Sequence, residues 1–246
     1  MTPGLQILFE DEHCLGVLKP AGQLTQGTWA PPGETTLEQD VRRHLAPESP
    51  ETAYLGIVHR LDRPVSGVLL WAKTSKAARR LAGQFEKRQA VKEYWAVVEA
   101  SDATDVQAEP STALLPPLGE LWVDWLTSAD KSGVVHSVAE GTLGARRAQT
   151  RVMIDASAGM AAGLRRLRLW PETGRTHQLR VQSATRGLPI LGDSLYGARE
   201  TFSPGIALHA RSLQVRHPMS AVPLILVAAL PESWRGRGID PGPAST

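Results

Sequence analysis

Gly56-Ile57-Val58-His59-Arg60-Leu61-Asp62-Arg63-Pro64-Val65-Ser66-Gly67, followed without a break by Val68-Leu69-Leu70-Trp71-Ala72, is the stretch on which the fold turns. Its apolar end predicts a buried strand over 68–72. Arg63-Pro64 predicts a turn ahead of that strand, because proline fixes its own φ and pushes the preceding residue away from helix. Asp62 therefore stands at the mouth of a buried strand, flanked by Arg60 and Arg63. A carboxylate among cations stays ionised and can serve as nucleophile or base. A turn aspartate bonded to nearby backbone N–H groups fits the same residues.

Just past Ala72, Thr74 or Ser75 can cap a helix whose apolar face is Ala77, Leu81 and Phe85, with Arg79, Arg80, Glu86, Lys87 and Arg88 on the other face. Upstream, 7–19 reads as two short strands with a turn, and 36–44 as a short helix. Downstream, strands are expected over 91–100, 121–126, 134–138, 148–155 and 164–170, then over 206–215 and 224–229. A helix is expected from about Thr176 to near Gly187. The acidic, proline-bearing segment 101–117 reads as a surface excursion, and 236–246 as a mobile tail. Short strands with interspersed helices that do not alternate strictly predict an α+β fold, a single catalytic domain over 1–235.

With 42% hydrophobic and 21% charged residues in 246, the chain has ordinary globular proportions. No apolar run has the length of a membrane span and Met1 to Glu12 lacks a signal-peptide pattern, so a cytoplasmic protein without membrane contact is expected. Cys14 is the single cysteine, which excludes an intramolecular disulfide and a Cys-rich zinc site. The net charge of +2 hides strong segregation: 59–92 holds 9 basic and 2 acidic groups, 142–186 again 9 and 2, whereas 93–141 holds 1 and 9. Two basic blocks lining one cleft would suit an RNA backbone, and two solvated faces would give the same counts.

The second basic block contains Gly174-Arg175-Thr176-His177-Gln178-Leu179-Arg180-Val181 at a predicted strand-to-helix junction. The planar fork of Arg180 can hold a carboxylate through two bonds, and a solvated helix arginine is the alternative. His59 and His177 lack a third ligand at metal spacing. Walker, G-x-G-x-x-G, G-x-S-x-G and H-E-x-x-H motifs are absent, and a zinc deaminase would need more cysteines.

His59-Arg60-Leu61-Asp62 with Ser66-Gly67, and Gly174 through Val181, resemble the two main motifs of the RluA-type pseudouridine synthases. Lys19-Pro20-Ala21-Gly22, Lys92-Glu93-Tyr94, Gly192-Asp193 to Tyr196-Gly197, and His209-Ala210 to His217-Pro218 fall where that family has similar segments, over roughly residues 7 to 234. Val65 stands where the family usually has Thr, and Arg63-Pro64 replaces a more usual acidic or polar pair. Lys19-Pro20 comes too early for a preceding S4 domain.

The resemblance implies a mixed, largely antiparallel central sheet with flanking helices and a central cleft. It implies isomerisation of a specific uridine in ribosomal or transfer RNA by a flipped-base mechanism, without cofactor or metal, in a monomer. Asp62, Tyr94 and Arg180 are then the catalytic residues, with Arg180 orienting Asp62 and Tyr94 beside the uracil. Arg60, which would fill the space left by the flipped base, joins Arg79, Arg80, Arg165, Arg166, Arg175 and His177 as expected RNA contacts. The rival readings are a non-catalytic RNA-binding descendant of the fold and a glycoside hydrolase, which would need a second carboxylate near Asp62.

Overall fold

The computed structural model describes residues 4–27, 30–100, 119–155 and 160–235. The expected excursion over 101–117 and the tail from 236 lie outside them. The chain divides into two compact units, 1–92 with 210–229 and 93–209 with 230–246.

In the first unit, β1 (Gln6–Glu10), β2 (Cys14–Lys19), β3 (Gly56–Ile57) and β4 (Ser66–Ala72) accompany two helices, α1 (Leu37–Leu45) and α2 (Ser75–Glu86). Every residue of β4 is buried, which is why its sequence shows no alternation. β4 pairs antiparallel with β2 and with β3, and β1 with β2. Thr36 caps α1 in a reciprocal capping box with Gln39, so the helix starts one residue later than expected. Thr74 caps α2, which buries Ala77 and Leu81 against Val68, Leu70 and Ala72.

The second unit contains β5 (Val91–Glu99), β6 (Glu120–Leu126), β7 (Ser137–Val138), β8 (Arg146–Asp155), β9 (Leu164–Pro171) and α3 (Gln178–Ala184). Its strands run in the order β5-β9-β8-β6-β7, with antiparallel ladders throughout. The strand expected over 134–138 shrinks to two residues. The Asp130 side chain accepts from Ser132 N–H (2.8 Å) and Val134 N–H (3.1 Å) and curls the chain there instead.

The chain closes with β10 (Leu208–Arg216), β11 (Pro223–Val227) and a short α4 (Glu232–Arg235). β10 enters the first unit beside β4 and pairs antiparallel with β11. Gly67 explains the Ser66-Gly67 pair: its φ is +124°, and a Cβ there would lie 2.3 Å from the Ala210 carbonyl oxygen. The architecture is the expected α+β class, largely antiparallel sheet with flanking helices.

Candidate active site

Asp62, half-buried, lies on the loop between β3 and β4. Its own carbonyl accepts from Val65 N–H (3.0 Å), closing the Arg63-Pro64 turn. Thr25 Oγ1 donates to the Leu61 carbonyl (2.6 Å), and Gly22 N–H donates to that of Arg63 (2.8 Å). The strongest restraint is Lys19, fully buried at the end of β2. Its Nζ donates to the carbonyls of Pro20 (2.9 Å), Arg63 (3.0 Å) and Val65 (2.7 Å). An ammonium has three donors and here meets three acceptors, two of them just past Asp62. Burial pushes the Lys19 ammonium down to about 7, against the opposing pull of the Asp62 carboxylate.

His59 holds the other side of the loop. Its Nε2 accepts from Leu70 N–H (2.9 Å), and its ring stacks on Phe85 at 4.8 Å. Burial, reinforced by the charge of Lys92, pushes the imidazole down to about 3, so it is neutral at physiological pH.

In the second unit, Tyr94 stands on β5 opposite Leu169 of β9, partly exposed. His177 immediately precedes α3 and Arg180 lies within it; the helix starts at Gln178 because His177 adopts a left-handed conformation (φ 52°). A run of buried side chains fixes the helix. Gln178 Oε1 accepts from Thr173 Oγ1 (2.7 Å), and its Nε2 donates to Thr150 Oγ1 (2.9 Å). Thr150 donates in turn to Gln182 Oε1 (2.6 Å), whose Nε2 donates to Asp124 (2.8 Å). Arg180 donates through Nε (2.6 Å) and Nη2 (2.8 Å) to the two oxygens of Asp193, and its guanidinium lies 4.9 Å over the Tyr196 ring. Tyr196 Oη accepts from Val135 N–H (3.0 Å) and meets His177 Nδ1 at 2.8 Å.

The expected RNA contacts separate by environment. Arg60, Arg79 and Arg80 are exposed, the last donating to the Pro218 carbonyl (2.7 Å), and Lys76, Lys87 and Arg88 extend the basic surface of α2. Arg165 and Arg175 are partly exposed, Arg175 donating to the Arg147 carbonyl (3.1 Å). Arg166 is buried, its guanidinium 4.8 Å over Trp95. Lys19, Gln182, Asp193 and Tyr196 were not among the predicted site residues. Only their places in motif-like segments could have signalled them.

Among the described residues, Asp11, Cys14 and His217 bring potential metal-ligand atoms within 4.8 Å of one another. Their hydrogen bonds describe a clip instead. Asp11 accepts from His13 and Cys14 N–H (both 2.8 Å), and His217 Nδ1 accepts from Ser220 N–H (3.1 Å), which leaves the proton on Nε2 to point at Asp11 (2.7 Å). Burial, with Asp11 adding to it, pushes the Cys14 thiol up to about 12.

The sequence profile described as RNA pseudouridylate synthase matches residues 13–185, a span that includes Asp62, Tyr94 and Arg180. Relatives called tRNA pseudouridine synthase C are 33% identical in Vibrio cholerae (94% of this chain, 93% of the relative) and 35% in Yersinia pestis (94% and 89%). The one from Pectobacterium carotovorum is also 35% identical over 94% of this chain, which spans 61% of that relative's length. Among solved structures, human RNA Pseudouridylate Synthase Domain Containing 1 superposes with a TM-score of 0.69 at 25% identity, covering 94% of this chain and 87% of the other. Domain Containing 4 gives 0.67 at 23% identity, with 94% and 92% covered, a likeness of fold. By profile, relatives and fold together, this chain belongs to the RNA pseudouridylate synthase family, in its RluA-type branch.

Proposed function

We propose that this RNA pseudouridine synthase isomerises a uridine of transfer RNA, with Asp62 as the catalytic carboxylate. The main support is the Asp62 loop itself, whose carbonyls at 61, 62, 63 and 65 are all engaged, two of them by one buried lysine. A loop so restrained presents its one acid in a fixed geometry, which is what attack on a glycosidic centre requires. Transfer RNA as substrate follows the names of the relatives.

In this mechanism the target uridine leaves its stack and enters the site. Asp62 initiates cleavage of the N-glycosidic bond, the uracil turns over while bound, its C5 joins C1′, and the step closes as C5 loses its proton and N1 gains one. Arg180 serves as the catalytic arginine, Tyr94 stacks beside the uracil, and Arg60 takes the vacated space. The exposed basic surface of α2, with Lys76, Arg79, Lys87 and Arg88, contributes phosphate contacts.

The test is incubation of the purified protein with transfer RNA and ribosomal RNA transcripts, scoring pseudouridine and free uracil. Pseudouridine in transfer RNA alone is expected, and Asp62→Asn should abolish it with RNA affinity and melting temperature unchanged. Substantial turnover by that variant would refute the assignment, pseudouridine in ribosomal RNA alone would refute the substrate, and free uracil would indicate a hydrolase.

A further inference from the structure

We infer that Asp193 is a positioning residue of the reaction, fixing the plane and direction of the Arg180 guanidinium. The inference rests on the catalytic reading of Arg180 and adds a residue to it. Asp193 is 1% exposed and Arg180 5%, and the bond between them is two-pronged at 2.6 and 2.8 Å. A planar fork held at Nε and one terminal nitrogen has its remaining edge set in direction, so the carboxylate opposite chooses where Arg180 can reach.

The local chain is shaped for this task. Asp193 starts a single 3-10 turn, Ser194–Tyr196, between Gly192 (φ 86°) and Gly197 (φ 89°). Gly192 leaves no room for a side chain: a Cβ there would lie 2.5 Å from that of Phe202. The same turn carries Tyr196, whose ring lies beneath the guanidinium and whose hydroxyl meets His177. One short turn therefore restrains both His177 and Arg180, two of the residues that the sequence singled out here.

A buried ion pair is weak support for stability by itself, because desolvation offsets much of the attraction. Orientation of Arg180 gives the pair a role that an apolar replacement would not supply. Asp193 touches no substrate; its effect passes through Arg180.

Three variants decide, with melting temperature, RNA affinity, kcat and KM measured for each. Asp193→Glu keeps the charge and displaces it by one methylene; kcat should fall roughly tenfold, with KM and RNA affinity within about twofold. Asp193→Asn should lower kcat further, again without a matching rise in KM. Arg180→Gln tests the role of the arginine itself, and combining it with Asp193→Asn should lower kcat no further than Arg180→Gln alone. If Arg180→Gln is inactive while folded Asp193→Glu turns over at the wild-type rate, the positioning role is wrong and the catalytic role of Arg180 stands. If Arg180→Gln itself retains wild-type kcat, the catalytic role of Arg180 fails and the inference falls with it. Should Asp193→Asn not fold, the kcat of Asp193→Glu decides alone.

Discussion

The Asp62 loop is held through its main chain, whereas α3 is held through side chains. Around Asp62, one buried amine and two backbone N–H groups engage the carbonyls of residues 62, 63 and 65, so the identities of Pro64 and Val65 matter less than the path of their backbone. Around α3, Thr150, Thr173, Gln178 and Gln182 each contribute a specific atom, and every bond depends on side-chain identity. The first arrangement concentrates its dependence on Lys19, and the second spreads it over several residues. This also explains how Pro64 and Val65 can depart from the family pattern without disturbing the turn.

The largest effect is therefore expected at Lys19. Lys19→Met keeps the aliphatic length but removes the Lys19 donor from the Pro20 and Val65 carbonyls and leaves that of Arg63 with Gly22 N–H alone, each lost buried partner costing about 1–3 kcal/mol. A loss of at least about 3 kcal/mol, or roughly 9 °C in melting temperature, should accompany a fall in kcat as the Asp62 loop loosens. Thermal unfolding and turnover on transfer RNA measure both. Wild-type stability in this variant would show that the loop is not held as described.

A smaller effect is expected from Thr150→Val, an isosteric change that removes one hydroxyl from the run of bonds. The hydroxyl accepts from Gln178 and donates to Gln182, so both amides lose a buried partner. About 2 kcal/mol should be lost. Because Asp193 still fixes Arg180, kcat should fall by less than about threefold. A kcat loss as large as that of Lys19→Met would erase the contrast between concentrated and distributed support.

Sequence made the first region legible and the second only partly so. Asp62 declared itself as one of two acids in a basic block, ahead of a Pro turn and an apolar strand, signals that are local along the chain. The β4 strand and the α1 and α2 helices followed from the same local rules of periodicity and capping. Lys19 did not, since a lysine at the end of an apolar strand gives no sign of being fully buried, and its acceptors at 63 and 65 are more than forty residues away. Asp193 was hidden for a related reason: its partner Arg180 lies thirteen residues earlier, beyond any helical spacing. The shortening of 134–138 depended on the Asp130 side chain outcompeting a ladder, which apolar alternation cannot register.

The smallest effect separates His59 from Lys19 within the first region, by pH. The unfolded imidazole takes up a proton near 6.5, whereas the folded one, enclosed against Phe85 and accepting from Leu70 N–H, does so only near 3. Between those values the unfolded chain binds more protons, so stability rises with pH there and is lost as pH falls below 6.5. The loss should be about 1 kcal/mol per pH unit. His59→Gln offers Leu70 an amide oxygen that does not titrate, at the cost of the stack on Phe85. At pH 7.5 the variant should melt a few degrees below wild type, and the gap should close or reverse by pH 5. Lys19, at about 7, is protonated in both proteins at the acid end of that range, so its contribution cancels between them there. Melting curves that run parallel from pH 7.5 to pH 4.5 would mean that the imidazole is not held neutral by its surroundings, and that something other than a neutral His59 fixes that side of the Asp62 loop.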